Sequence, residues 1–379
     1  MKGEKMIDPI RLVKTFVELA QINSESFKEG KLATFIVNKM ASMGIDVRVD
    51  ISLEQIKSDT GNLIIRFPGN KSVPRILFMA HMDTVSPGKG IQVMVENDVI
   101  QSVGDTILGA DDKAGIAAII ELVEVLNYER IEHGDIMAIL TVAEEKGSIG
   151  AKNIDYKNLK TDYAFVLDGE GPVGGIITQT PTQNIIKAKF IGKSAHSGIS
   201  PEIGINAIQA ASNAISRMKL GRLDEETTAN IGVIRGGTSF NVVASETYVE
   251  GEVRSFSMEK LKTQTEHIMD CLTESAKDIG AEVKINTVRG FTGYNLKPDN
   301  KAIAIASEAI KKAGLTPKLV TTGGGSDANV LNEKGIDAVN LATGMVNPHS
   351  KDESITVKEL ESLTKVLLEI VKIALQNKI

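Results

Sequence analysis

The stretch Ile76-Leu77-Phe78-Met79-Ala80-His81-Met82-Asp83-Thr84-Val85 decides how this chain is read. Its first four residues are a continuous apolar run, the pattern of a parallel strand covered on both faces. The run ends on His81 and Asp83, two apart in extended chain, so both side chains face the same way. In open α/β sheets the carboxyl ends of strands are where ligands bind. Two further apolar runs, 136–140 and 164–167, are followed by Glu144-Glu145 and by Asp168. Between the runs a helix is expected from about Asp112, with Ile116, Ile119, Ile120 and Val123 on one face. Strands alternating with helices predict an α/β sheet sandwiched by helices.

Working outward, Asp8-Pro9 reads as a helix N-cap and first turn. Ser26 and Glu29 have capping-box spacing ahead of a second helix that stops at Gly44. Residues 47–49 and 63–65 read as strands. From about 181 to 290 the texture changes to alternating strands separated by two helical patterns, 206–218 and 258–279. A β-α-β-β-α-β order is ferredoxin-like. The expected organisation is a sheet domain over 1–180 plus 291–379, with an inserted α+β domain over 181–290. After the insertion a helix over 301–313, a strand over 338–341 and a closing helix over 357–376 resume the sheet domain.

Composition excludes several function classes. The 379 residues carry 43 basic and 49 acidic side chains, a formal charge of −6, and this speaks against a nucleic-acid partner, which calls for a basic stripe. No apolar run reaches the ~18 residues of a membrane span. Met1-Lys2-Gly3-Glu4-Lys5 is charged but has no apolar core behind it, so no signal peptide is expected and the cytoplasm is the default location. Cys271, the single cysteine, sits in a helical pattern and leaves any metal to histidine and carboxylate. Aromatics are 4% and Trp is absent, so a substrate pocket must lean on aliphatic and polar groups.

The candidate chemistry lies in short motifs. His81 can ligate a metal while Asp83 accepts its other ring proton, which fixes the tautomer. Asp111 and Asp112 precede a helix, where one can cap and the other can bridge two ions, and Lys113 reads as a solvated first-turn residue. Adjacent Glu144 and Glu145 point to opposite sides of a strand end, so a bend can aim one at a metal and the other at water. Asp168 precedes Gly169 and reads either as a turn former or a ligand. Of five histidines, His133 and His267 look like surface residues, whereas His81, His196 and His349 lie in Gly-, Ser-, Asp- or Pro-rich frames where function concentrates.

Taken in order, HMDTV, GADDKAG, the Glu pair, LDGE, AHSG and a late Pro-His resemble one family, the di-zinc peptidases that include carboxypeptidase G, aminoacylase, succinyl-diaminopimelate desuccinylase and peptidase T. The resemblance runs from about residue 8 to 377, and the segment 108–115 looks most like the peptidase T branch. It implies a zinc-peptidase-type mixed sheet sandwiched by helices, with the inserted ferredoxin-like domain serving dimerisation and as a lid. It implies two divalent ions, zinc first and cobalt or manganese next. Asp111 would bridge them, His81 and Asp168 would complete one, and Glu145 and His349 the other. Glu144 would be general base and then acid, and Asp83 would orient His81. His196 would stabilise the oxyanion, often across subunits, and Asn241 and Arg254 would hold a substrate carboxylate. The frame 346–350 departs from the longer Tyr-His-Gly-type frame of tripeptidases. The implied activity is a metal-dependent aminopeptidase acting on short peptides, tripeptides first, as a homodimer. The neighbouring reading is an N-acyl amino-acid amidohydrolase or dipeptidase on the same centre. The reading from another class is a catalytically silent binding scaffold.

Overall fold

A computed structural model describes residues 7–51, 54 and 56–376; the reading of residues 1–5 lies outside them. The chain forms two compact units, one of residues up to Gln179 with Asn295–Thr322 and everything from Ser326, the other of Thr180–Tyr294 with Gly323–Gly325.

The first unit is built on an eight-stranded mixed sheet. Its centre is the Ile76–His81 strand, buried at every residue and flanked in parallel by Ile136–Thr141 and Tyr163–Gly169. Ala338–Ala342 extends the parallel group beyond Tyr163–Gly169. Antiparallel Leu63–Phe67 and Asp46–Val49 finish one side, and Gly175–Gln179 with Lys318–Thr321 the other. The Ala110–Tyr128 helix packs on Ile76–His81, and helices Pro9–Gln21 and Val357–Gln376 pack on it in turn. Its residues are buried almost all round, which is why its apolar pattern is nearly continuous. Phe78 and Phe165, on adjacent strands, lie 5.9 Å apart between ring centroids and fill the core. A hairpin of Val93–Glu96 and Val99–Ser102, joined by Ser354–Thr356, forms a separate three-stranded sheet that sequence patterning does not reveal because the strands are short and half exposed.

In the second unit Thr182–Ile191, Thr227–Gly236, Glu246–Ser255 and Glu282–Phe291 form an antiparallel sheet in which Thr182–Ile191 lies between Glu246–Ser255 and Glu282–Phe291. With helices Ala207–Arg217 and Met258–Ile279 between strands, this is the β-α-β-β-α-β arrangement. Ala207, Ala210, Ala211 and Ala214 give the shorter helix a small-residue face, which lets it approach the longer one closely.

Three local expectations differ from the structure. Ser26 and Glu29 do not form a capping box: Glu29 makes no cap bond, and its buried carboxylate instead accepts Phe27 N, Ala143 N and Ser58 Oγ. His133 is buried, stacked on Phe67 at 4.5 Å, because its Nδ1 finds the Gly134 carbonyl at 2.7 Å and its ring face is free to pack. Lys113 is fully buried rather than solvated, because the backbone turns out of helical geometry at Asp111 and Asp112 and carries Lys113 inward. Among the described residues no helix is long and apolar enough to cross a membrane.

Candidate metal centre

His81 ends the central strand and is 2% exposed. Its Nδ1 lies 2.9 Å from the Asp83 main-chain oxygen, so the Nδ1 proton is donated there. Nε2 is thereby aimed at Asp111 Oδ1, 2.9 Å away, and at Asp168 Oδ1, 3.8 Å away. The expectation that the Asp83 carboxylate takes this proton needs correction. Its nearest oxygen is 3.4 Å from Nδ1, and the carbonyl does the orienting. The carboxylate is drawn off by stronger claims: it accepts Glu144 N at 2.9 Å, Glu145 N at 3.2 Å and Ser26 Oγ at 2.7 Å.

At the start of the Ala110–Tyr128 helix, Asp111 and Asp112 have non-helical backbone and the peptide between them is cis. They divide the two roles open to them. Asp112 Oδ1 accepts Gly115 N at 3.2 Å, a cap, and its Oδ2 accepts His81 N at 3.2 Å. Asp111 projects its carboxylate between two imidazoles, with Oδ2 lying 3.0 Å from His349 Nε2.

Glu144 and Glu145 lie in a single 3-10 turn after the Ile136–Thr141 strand. The turn begins at Ala143, whose φ of 49° is left-handed and costs about 1–3 kcal/mol. The bond from Ala143 N to Glu29 Oε1, 3.0 Å, helps hold it there. The bend separates the two side chains: Glu145 Oε1 meets His349 Nε2 at 2.7 Å, whereas Glu144 Oε1 accepts Ser148 Oγ at 3.1 Å. His349 itself has a left-handed backbone, φ 64°, in the loop after the Ala338–Ala342 strand.

The carboxylates crowd one another. Burial and then the nearby Asp111 push Asp168 up to about 8. Burial, with Asp168 next, holds Glu144 well above the usual carboxylate range. Burial opposes ionisation of Asp111 as well, but contacts to His349 and His81 keep it below its ordinary value. Burial would lower His81, yet Asp111, Asp168 and Asp83 raise it well above 6.5. Contacts to Asp111 and Glu145 raise His349 to about 10.

The donor atoms converge. His81, Asp111 and Asp168 offer atoms within 4.8 Å of one another, as do Asp111, Glu145 and His349 and also His81, Glu144 and Glu145. Asp111 is common to the first two groups, with a different oxygen facing each imidazole. Imidazole and carboxylate are the donors zinc and its neighbours take. The structure therefore brings together His81, Asp111, Glu144, Glu145, Asp168 and His349.

The remaining candidates lie in the second unit. His196 is exposed, and its segment is joined to that of Asn241 by bonds from Ser197 N to Asn241 O and from Val243 N to Ala195 O. Arg254 is engaged twice by Glu252, at 3.0 and 2.9 Å, and donates to the Gly323 carbonyl at 2.9 Å.

Sequence reasoning missed Glu29, Glu353 and Lys113. Glu29 is hidden by a capping-box spacing and Glu353 by the charged run 351–353. No local pattern marks any of them, because each acts on backbone or charge distant in sequence.

The family model for peptidase family M20/M25/M40 matches residues 77–373. The chain belongs to this family. Family M20/M25/M40 membership makes it a metallopeptidase. A Bacillus subtilis protein, YqjE, is 42% identical over 97% of this chain and 99% of its own length. A Staphylococcus aureus tripeptidase superposes with a TM-score of 0.90 at 38% identity, covering 98% of this chain and 100% of its own. The aminopeptidase PepT of Bacillus cereus gives 0.84 at 39%, covering 97% and 99%. The mixed α/β fold is thus that of solved M20-type peptidases.

Proposed function

We propose that this chain is a di-metal aminopeptidase that releases the N-terminal residue of tripeptides. The observation that carries this reading is the Asp111 carboxylate, one oxygen facing His81 and the other His349. Similarity to the tripeptidase and to PepT supports the substrate class. His81, Asp111 and Asp168 would hold one ion, and Asp111, Glu145 and His349 the other. Zinc suits this donor set, and cobalt or manganese also fits it. When bound, the ions polarise the scissile carbonyl and lower the pKa of water.

Glu144 then does the proton work. Its Oε1 is held by Ser148, which leaves the second carboxylate oxygen to take a proton from the attacking water. The water oxygen bonds to the carbonyl carbon. Glu144 returns the proton to the amine nitrogen as the C–N bond breaks. Asp83 keeps Glu144 in place through its main-chain N–H. From the family resemblance we assign His196 to the oxyanion, Asn241 and Arg254 to the substrate carboxylate, and the second unit to dimerisation. Mixing His196→Ala with Glu144→Ala protein restores partial activity if His196 acts across subunits; no recovery despite demonstrated subunit exchange removes that assignment.

The deciding experiment is a panel of di-, tri- and tetrapeptides with free and blocked termini, plus N-acyl amino acids, with metal content measured on the same preparation. Cleavage of free-amine tripeptides, abolished by a chelator, is expected. Turnover of N-acyl amino acids alone would keep the centre and overturn the substrate.

A further inference from the structure

Glu353 is outside the donor set above, yet it is 1% exposed. Its Oε2 accepts Leu108 N at 2.8 Å and Gly109 N at 2.7 Å, and its Oε1 accepts Asp111 N at 3.0 Å. These main-chain donors belong to the segment that delivers Asp111, and Gly109 there has a φ of 75° that glycine alone adopts at little cost. Glu353 also closes the loop that carries His349. Glu353 N donates to Ser350 O, and the next residue, Ser354, exchanges backbone bonds with Val346. One buried carboxylate therefore ties the Asp111 segment to the His349 loop.

Lys113 fits the same frame. It is fully buried and donates from Nζ to Ile22 O at 3.5 Å; burial lowers its pKa from 10.5 to about 8, against the pull of Glu353 and Asp83, the two carboxylates that grip backbone of ligand-bearing segments.

We propose that Glu353 is a positioning residue that fixes the span between Asp111 and His349, and so sets how tightly the Asp111–Glu145–His349 group holds its ion. This rests on the di-metal reading above. Glu353→Gln keeps the side-chain volume but turns one acceptor into a donor facing N–H groups. Glu353→Asp keeps the charge, shortens the reach and carries the same test should the first variant not fold. Glu121→Gln is the control: Glu121 lies further along the helix that begins at Asp111 and is equally buried, but its carboxylate accepts Asp8 N and pairs with Arg11 rather than gripping the backbone of a ligand-bearing segment.

The test is cobalt titration of the full chain, followed by visible absorption and chelator competition. In Glu353→Gln one of two cobalt equivalents is expected to weaken by about 10- to 100-fold while the other stays within about threefold. Turnover should fall with KM nearly unchanged, and Glu121→Gln should bind both equivalents as the parent does. Equal retention in Glu353→Gln and parent, or the same loss in Glu121→Gln, overturns the proposal. Hydrogen exchange on chelator-treated protein separates this result from failure of the di-metal reading. A parent that binds no cobalt sinks the di-metal reading, and the positioning role is then decided at the Leu108, Gly109 and Asp111 amides. Faster exchange there in Glu353→Gln than in Glu121→Gln supports it, and equal exchange overturns it.

Discussion

Glu144 and Glu145 are neighbours in sequence with unlike surroundings, and the difference predicts unlike variants. Glu145 touches His349 at 2.7 Å within a donor group, whereas Glu144 rests on Ser148. Glu144→Ala is expected to retain both ions and lose turnover by at least about 100-fold. Glu145→Ala should retain a single ion by metal analysis. Two ions in the latter, or near-parental turnover in the former, would reverse the roles. Asp327 makes a separate prediction about pH. It is 2% exposed, its Oδ1 has no hydrogen-bond partner, and burial pushes it from 3.8 up to about 6. An acid whose folded pKa is raised binds more protons folded than unfolded between those two values, so its contribution to stability falls as pH rises through that window. Asp327→Asn in chelator-treated protein should therefore raise the melting temperature at about pH 7 and leave it nearly unchanged below about pH 4. A gain of equal size at both pH values would show that charge is not the cause. The metal-ligand candidates were legible as an ordered set of motifs resembling one family, His349 among them in a Pro- and Ser-flanked loop. Lys113 was not, because its burial depends on a backbone turn that no neighbouring residue announces.

At the scale of elements, the decisive contact is between the Ala110–Tyr128 helix and the Tyr163–Gly169 strand. Gly115 lies at this contact. A Cβ there would stand 2.6 Å from Asp112 Oδ1 and 2.9 Å from both Leu167 Cβ and the Leu167 carbonyl oxygen. Alanine would gain up to about 1 kcal/mol of helix propensity. The clash is with backbone, which cannot swing aside, and overpacking of this kind costs about 1–3 kcal/mol. Gly115→Ala is thus expected to lower the melting temperature and to disturb the Asp112 cap, with metal affinity falling in parallel. A melting temperature at or above the parent's would mean the helix shifts freely. The long helices and central strands could be read from periodicity, since their burial writes a continuous or 3.6-residue pattern into the chain. The hairpin over Val93–Ser102, the strand Gly175–Gln179 and the edge strand Lys318–Thr321 could not, because half-exposed short strands leave too few apolar positions to count.

For the whole molecule, each unit has its own apolar core, one around Phe16, Phe78 and Phe165 and the other around Phe190, Leu261 and Ile268. The candidate ligands all belong to the first unit. Calorimetry is expected to resolve two transitions, of which a chelator shifts only one. Ion at about 100 times its dissociation constant stabilises the unit that binds it by about 2.7 kcal/mol. A single transition moving as a whole would show that the cores unfold together. The sequence by itself determined the α/β sheet, the change of texture near residue 181 and the residue types of the metal chemistry, because burial and ligation restrict composition locally. Only the tertiary structure decided how those residues are held. Asp111 stands between two imidazoles because Glu353 grips its backbone from 242 positions away, and the Glu144–Glu145 turn is fixed by Glu29 and Asp83. Carboxylates that satisfy distant main-chain N–H groups impose no spacing on the chain, so they become visible only when it is folded.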